Sequence, residues 1–191
     1  MYTYKVEQAI QAASILHESH ARKGTVPIPY ITHLVGVTLI IRDYTTDEDV
    51  LVAAMLHDTL EDTEYTTEEL HKDFGETVSA IVQTLSVINT DSLSWFEQKQ
   101  QLARQLKTGP QASVLIMAAD CAHNFRSIIE DYTNDHNAFL SDFGTNVEDR
   151  IMGYELIANV INSRLKSGIV HEFNHTFELY KQFLFDVQES K

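Results

Sequence analysis

A chain of 191 residues can bury a sizeable core within one domain, and 43% hydrophobic against 22% charged residues exclude a disordered chain. The 14 Lys and Arg face 28 Asp and Glu, a formal net charge of −14 that disfavours a nucleic-acid polymer or an anionic membrane as partner. A small anionic substrate is still allowed where a bound cation and a few local Lys or Arg reverse that field.

Seven Gly and three Pro, most of them between periodic segments, predict an all-α fold. Residues 5–22 space Val6, Ala9, Ile10, Ala13 and Leu16 at helical intervals. Gly24, Pro27 and Pro29 then break the chain before YITHLVGVTLIIRDY at 30–44, whose β-branched content would equally suit a strand. Thr46 and Asp47 are candidate caps for a segment running through His57, and its stretch from Val50 to Leu56 is apolar on every side and so expected to be buried. Thr66 with Glu69 resembles a capping box opening a helix that ends near Phe74 and Gly75. Helices are expected at 76–86 and 93–107, then from Gln111 to Tyr132 behind Gly109 and Pro110. Two more follow at 146–166 and 170–188, separated by Gly168. With no repeat or linker to divide it, the chain is expected to form one domain, 1–191.

Within HDTLED at 57–62, His57 and Glu61 are four apart, as are Asp58 and Asp62; if the helix persists, the two pairs occupy adjacent columns on one side. Buried carboxylates need compensation, and neighbouring His and Asp supply the donors that Mn²⁺, Fe²⁺ or Zn²⁺ accept. An ordinary helix end with solvated acids is the better account of the doublet alone. Two other stretches change that weighting. PYITH at 29–33 places His33 just after a rigid entry, and MAADCAHN at 117–124 places Asp120 and Asn124 four apart after an apolar run.

Together this pattern resembles the HD superfamily of metal-dependent phosphohydrolases. More narrowly, it resembles the guanosine 3′,5′-bis(diphosphate) 3′-pyrophosphohydrolases: the hydrolase domain of the RelA/SpoT proteins and the small stand-alone Mesh1-type alarmone hydrolases. The resemblance runs from about residue 5 to about 165, through ARKGT at 21–25, PYITH, AAMLHDTLEDTEYTTEEL at 53–70, DFGETV at 73–78 and ADCAHNFRS at 119–127. It leaves 166–191 as a C-terminal helical extension. It implies an HD-domain bundle of about eight to ten helices. It also implies Mn²⁺, or another divalent transition metal, held by His33, His57, Asp58 and Asp120. Glu61 and Asp62 match the acidic pair that orients or activates the attacking water, and Asn124 a residue near the nucleophile and ribose. Arg22 and Lys23 match basic residues beside a guanosine pocket, Lys99 a phosphate-contacting lysine, and Arg150 with Tyr154 a pair gripping the 5′ side. The products would be GDP and pyrophosphate.

Where the family commonly reads KLADRLHN, this chain has Met117, Cys121 and Ala122 at the Lys, Arg and Leu positions, and Leu34 follows His33 where the family has Pro. The lost charges leave the nucleotide open: a pppApp-type nucleotide or NADPH would suit the same centre. A non-catalytic nucleotide sensor is the reading from another class, and intact ligands and acids favour the enzyme.

HEFNH at 171–175 matches the zincin pattern of two histidines one turn apart with a glutamate base, but Glu178 lies one turn beyond His175 and could not easily complete a ligand set. Cys121 follows an apolar stretch and reads as an inert thiol. His17, His20, His71 and His136 have no partner pattern, and no P-loop or Rossmann fingerprint is present. A single Cys, no basic leader before an apolar stretch, and no apolar run longer than VLVAAML at 50–56 lead to an expected cytoplasmic location. The sequence does not disclose the oligomeric state.

Overall fold

A computed structural model of the chain describes residues 2–88, 90–144 and 146–190. Its first helix, α1 (Tyr4–Leu16), starts where the Thr3 hydroxyl accepts the Val6 N–H. It stops six residues short of the expected end at 22. His17 leaves the helix to bury its ring against Tyr30, with centroids 5.1 Å apart and planes at 18°. Backbone bonds from Arg22 to Ile28 (2.9 Å) and from Tyr30 to His20 (3.0 Å) then close a loop across 20–30. These cross-loop bonds replace the helical ones, which local spacing alone could not reveal.

The ambiguous 30–44 stretch forms a helix, α2 (Ile31–Arg42). His33, Leu34, Val37, Thr38 and Ile41 fall on one buried face, so helical periodicity outweighs the β-branched content. Asp47 caps α3 (Glu48–Met55), which is buried throughout from Val50 onward. That helix ends at Met55, not at His57. A turn separates it from the single-turn α4 (Thr59–Asp62). The Thr66–Glu69 capping box does open α5 (Thr67–Phe74), and Gly75, at φ 89°, makes the turn into α6 (Glu76–Leu85). A short 3₁₀ turn (Thr90–Ser92) precedes α7 (Trp95–Thr108), which has its own capping box from Ser94 and Glu97.

The longest helix, α8 (Gln111–Tyr132), begins behind Pro110 and packs against α2, α3 and α6 as well as later elements. An unforeseen helix, α9 (His136–Phe143), is capped by Asp135, whose carboxylate accepts the Ala138 N–H at 2.9 Å. Last come α10 (Val147–Arg164), capped by Asn146, and α11 (Ile169–Glu189). The most extensive packing of α11 is against α8. Phe125 of α8 stacks on Phe177 and Tyr180 of α11, with centroids at 5.5 and 4.5 Å. Phe125 is fully buried, a contribution of roughly 1.5–3 kcal/mol for a side chain of that class. Helix α11 thus helps to complete the core around α8. Among the described residues there is no strand, only an isolated bridge between Ala21 and Pro29, and no helix long and apolar enough to cross a membrane.

His17 gives the fold an acid sensitivity. Only 3% of it is exposed, neither ring nitrogen has a hydrogen-bond partner among the described residues, and burial lowers its pKa from 6.5 to about 4 against the opposing pull of Asp58. The native state therefore favours the neutral ring. Its contribution is intact above pH 6.5 and is lost as pH falls from 6.5 towards 4. The melting temperature of wild type should decline over that window more steeply than that of His17→Phe, which keeps an aromatic ring on Tyr30. Parallel declines in thermal melts at pH 8, 6 and 5 would place the sensitivity elsewhere.

Candidate metal centre and the cleft beside it

Three stretches of chain converge. His33 comes from the first turn of α2, His57 and Asp58 from the turn between α3 and α4, and Asp120 from the middle of α8. His33 Nε2 lies 3.5 Å from Asp58 Oδ2 and 3.1 Å from Asp120 Oδ1. His57 Nε2 lies 3.2 and 3.7 Å from the same two atoms. His33, His57 and Asp58 each offer a ligand atom within 4.8 Å of the others, the group of described residues best arranged to hold a metal. Asp120 approaches both imidazoles from the opposite helix.

The chemistry of this set fits a divalent cation. Both His Nε2 atoms are buried without a hydrogen-bond partner, an expensive state unless something else occupies them. His57 Nδ1 lies 2.8 Å from the Ala54 carbonyl, which can only accept. The neutral His57 ring therefore carries its proton on Nδ1 and presents a bare Nε2. Burial alone would lower the His57 pKa, yet the Asp58 and Asp120 carboxylates raise it to about 10. Burial likewise opposes ionisation of Asp120, and the two facing imidazoles hold it well below the usual carboxylate range. A centre that draws positive charge this strongly accepts either a proton or a metal ion.

The helix does not persist, so the pairs His57–Glu61 and Asp58–Asp62 do not form adjacent columns: the chain breaks at 56–58. Side chains take part in that break: Thr59 Oγ1 bonds the Leu56 carbonyl at 2.6 Å while His57 bonds that of Ala54. Glu61 faces a small pocket of about 160 Å³ that it shares with His57, Asp58, Lys99, Met117 and Asp120. Asp62 faces a larger cleft of about 470 Å³ with Arg22, Lys23, Arg150 and Tyr154. Tyr30 and Asn124 belong to the walls of both. Burial raises the Glu61 pKa to about 7, opposed by the Val87 N–H that its carboxylate accepts and by Lys99. Burial, with the neighbouring charge of Asp58, raises Asp62 to about 6.

Asn124 is tied at both ends. Its Nδ2 donates to Asp120 Oδ1 at 2.6 Å and its Oδ1 accepts from Arg22 Nη2 at 2.8 Å, so it links the metal side to the cleft. Arg150, 8% exposed, donates through Nη2 to the Phe143 carbonyl at 2.8 Å and packs over Phe143 and Trp95. Lys23 donates to the Asp142 carbonyl at 2.8 Å and lies over Phe143. Lys99 lies over Trp95 and Tyr154, at 5.5 and 5.8 Å from the ring centroids. All five candidate substrate contacts thus lie around the two pockets.

Three residues of this region were not among the expected site residues. Tyr30 donates to Asp58 Oδ2 at 2.7 Å, His123 Nδ1 lies 3.0 Å from His33 Nδ1, and Trp95 lines the cleft. Tyr30 and His123 sit inside PYITH and CAHN, beside the residues that those motifs made conspicuous. HEFNH does not form a metal site. His171 and His175 are exposed, while Glu172 is paired with Arg126 at 2.7 Å and accepts from Tyr44 at 2.6 Å. Cys121 is buried against Met117, and burial pushes its thiol pKa well up, the state of an inert thiol.

Residues 9–142 match the family model described as HD domain. The chain is 35% identical over 134 residues to the Drosophila melanogaster protein named guanosine-3′,5′-bis(diphosphate) 3′-pyrophosphohydrolase MESH1, covering 67% of this chain and 73% of that one. It is 36% identical over 129 residues to a GTP pyrophosphokinase of Streptomyces coelicolor, covering 65% of this chain but spanning only 15% of that much longer protein. A solved structure of a metazoan ortholog of SpoT that hydrolyzes ppGpp superposes with a TM-score of 0.77 at 22% identity, covering 94% of this chain and 97% of that one, which shows a common fold. The family match takes in well over half of the sequence and all four converging donors: the chain belongs to the HD domain family.

Proposed function

We propose that this chain is a phosphohydrolase that removes the 3′-pyrophosphate of guanosine 3′,5′-bis(diphosphate), ppGpp, releasing GDP and pyrophosphate. The observation that carries the reading is the position of the four converging donors beside a cleft that gathers cations in an acidic protein. Arg22, Lys23 and Arg150 line the cleft and Lys99 the pocket beside it, against a net charge of −14. The cleft lining sets its three cations against one carboxylate, Asp62, a local balance that suits an anionic polyphosphate. The name of the Drosophila relative supports the same substrate.

Mn²⁺ held by His33, His57, Asp58 and Asp120 would acidify water and offset the charge that gathers on phosphoryl oxygens. Glu61 accepts the proton of the attacking water, since it alone of the acidic pair shares the small pocket with His57, Asp58 and Asp120. A pKa near 7 suits that task at neutral pH. Asp62 lies on the cleft side, against Tyr30, and orients what binds there. Tyr30 holds Asp58 by its hydroxyl, and Asn124 transmits the position of Arg22 to Asp120. Arg150 and Lys23 are already anchored to backbone carbonyls, so they meet a phosphate with little further loss of side-chain freedom. A nucleotide substrate and a buried lone thiol accord with a cytoplasmic location.

Met117 gives a second reading its footing. It lines the small pocket without charge where the resemblance leads one to expect Lys. Lys99 is then the cation of that pocket, and a pppApp-type nucleotide or NADPH becomes a competing substrate. A panel of ppGpp, pppGpp, pppApp-type nucleotides and NADPH with Mn²⁺, reading pyrophosphate and orthophosphate separately, should give pyrophosphate from ppGpp and none after chelation. Orthophosphate from NADPH with ppGpp untouched would reassign the substrate. Trp95 is the single tryptophan and lines the cleft, so its fluorescence should change saturably with a bound nucleotide. Saturation by ppGpp without product would identify a sensor.

A further inference from the structure

We propose that His123 is a positioning residue of the metal centre, its Nδ1 accepting the hydrogen bond that fixes His33 with a bare Nε2. The inference rests on the ligand set proposed above. His33 Nε2 is buried, lacks a hydrogen-bond partner among the described residues and faces Asp120 Oδ1 at 3.1 Å. It can hold a cation only if the proton of the neutral ring sits on Nδ1. That Nδ1 lies 3.0 Å from His123 Nδ1, with the rings edge to face at 69°. Two imidazole nitrogens at this distance bond only when one donates and the other accepts. A proton on His33 Nδ1 therefore requires His123 to carry its own proton on Nε2.

The two imidazoles of the centre are thus oriented by different means. His57 leans on the Ala54 carbonyl, a group that has no proton to place wrongly. His33 leans on a side chain that must itself be in the right tautomer and the right place. Gly36, one turn along α2 from His33, makes that place available. A Cβ at Gly36 would stand 2.4 Å from His123 Nε2 and 2.6 Å from its Cδ2, so any larger residue displaces the ring. Outer partners of this kind are worth about 10–100-fold in metal affinity.

The test compares Mn²⁺ affinity, by competition with a chelator, in wild type, His33→Ala, His123→Leu and His123→Asn, with the visible absorption of the Co²⁺-loaded proteins as a second reading. His123→Leu should bind Mn²⁺ about 10–100-fold more weakly and shift the Co²⁺ bands. His123→Asn, whose Oδ1 can accept from His33, should recover most of both. Equal weakening in Leu and Asn would reduce His123 to a packing role and overturn the inference. Wild-type affinity in His123→Leu with binding abolished in His33→Ala would overturn it while leaving the ligand set standing. Wild-type affinity in His33→Ala would instead overturn the ligand set. A measurement on the unaltered chain does not depend on variants folding: long-range ¹H–¹⁵N correlations of the Zn²⁺-loaded protein should show His33 protonated on Nδ1 and His123 on Nε2. Protonation of His123 on Nδ1 would exclude the proposed bond.

Discussion

Alanine at His57 or at Asp58 is expected to leave the purified protein without bound transition metal, where wild type carries about one ion per chain. Each removes a donor from the tightest part of the centre, the three-residue group with ligand atoms within 4.8 Å. Loss of a direct donor should exceed the roughly 10–100-fold that an outer partner costs, so occupancy after dialysis falls to background and turnover falls with it. His57→Ala also leaves Asp58 and Asp120 facing each other without the imidazole whose pKa they raise to about 10. Its metal-free form should therefore melt below wild type at pH 7. Elemental analysis after purification and after chelation reads the first effect, and calorimetry the second. His171→Ala serves as the control, because His171 is exposed and its neighbour Glu172 is committed to Arg126. Metal retained in His57→Ala and Asp58→Ala, or lost in His171→Ala, would move the site away from the α3–α4 turn.

Where local chemistry decides, the sequence was legible. The helix from Gln111 to Tyr132 has Pro110 before it and no Gly within it, and the Thr66–Glu69 box marks the start of α5 with its own side chains. The 57–62 stretch contains neither Gly nor Pro, so nothing in its composition announces a break. The turn arises because His57 and Thr59 bond carbonyls of the preceding turn, side-chain competition that a hydrophobic period does not record. The expected helix to residue 22 failed for a long-range reason: His17 is drawn out by Tyr30, thirteen residues away. The convergence of His33, His57, Asp58 and Asp120 was legible through the family pattern, whereas the doublet alone favoured an ordinary helix end. Tyr30 and His123 escaped notice because each acts on another side chain, Asp58 and His33, and not on the centre directly.

Glu61→Gln is expected to separate catalysis from stability in opposite directions. The amide cannot accept a proton, so turnover should fall by about 10²–10⁴-fold with the ligands, and hence the bound metal, unchanged. Gln keeps an oxygen for the Val87 N–H, so that hydrogen bond survives. Stability should move the other way. Burial raises the Glu61 pKa from 4.5 to about 7, which means the native state prefers the protonated acid. The contribution of that preference is complete below pH 4.5 and is lost as pH rises through 7, above which the ionised carboxylate is a net cost. The residue is exposed towards cleft water, which screens part of that cost, so the gain should be small. The metal-free variant should thus melt above wild type at pH 8, by a few degrees at most, and level with it near pH 4.5. Metal content, kcat and thermal melts at the two pH values read all three effects in one preparation. Full activity would remove Glu61 from the chemistry. A lower melting temperature at pH 8 would show instead that the carboxylate serves the fold through Val87, because an acid kept for structure costs stability when neutralised, whereas an acid kept for proton transfer in a partly desolvated pocket returns it.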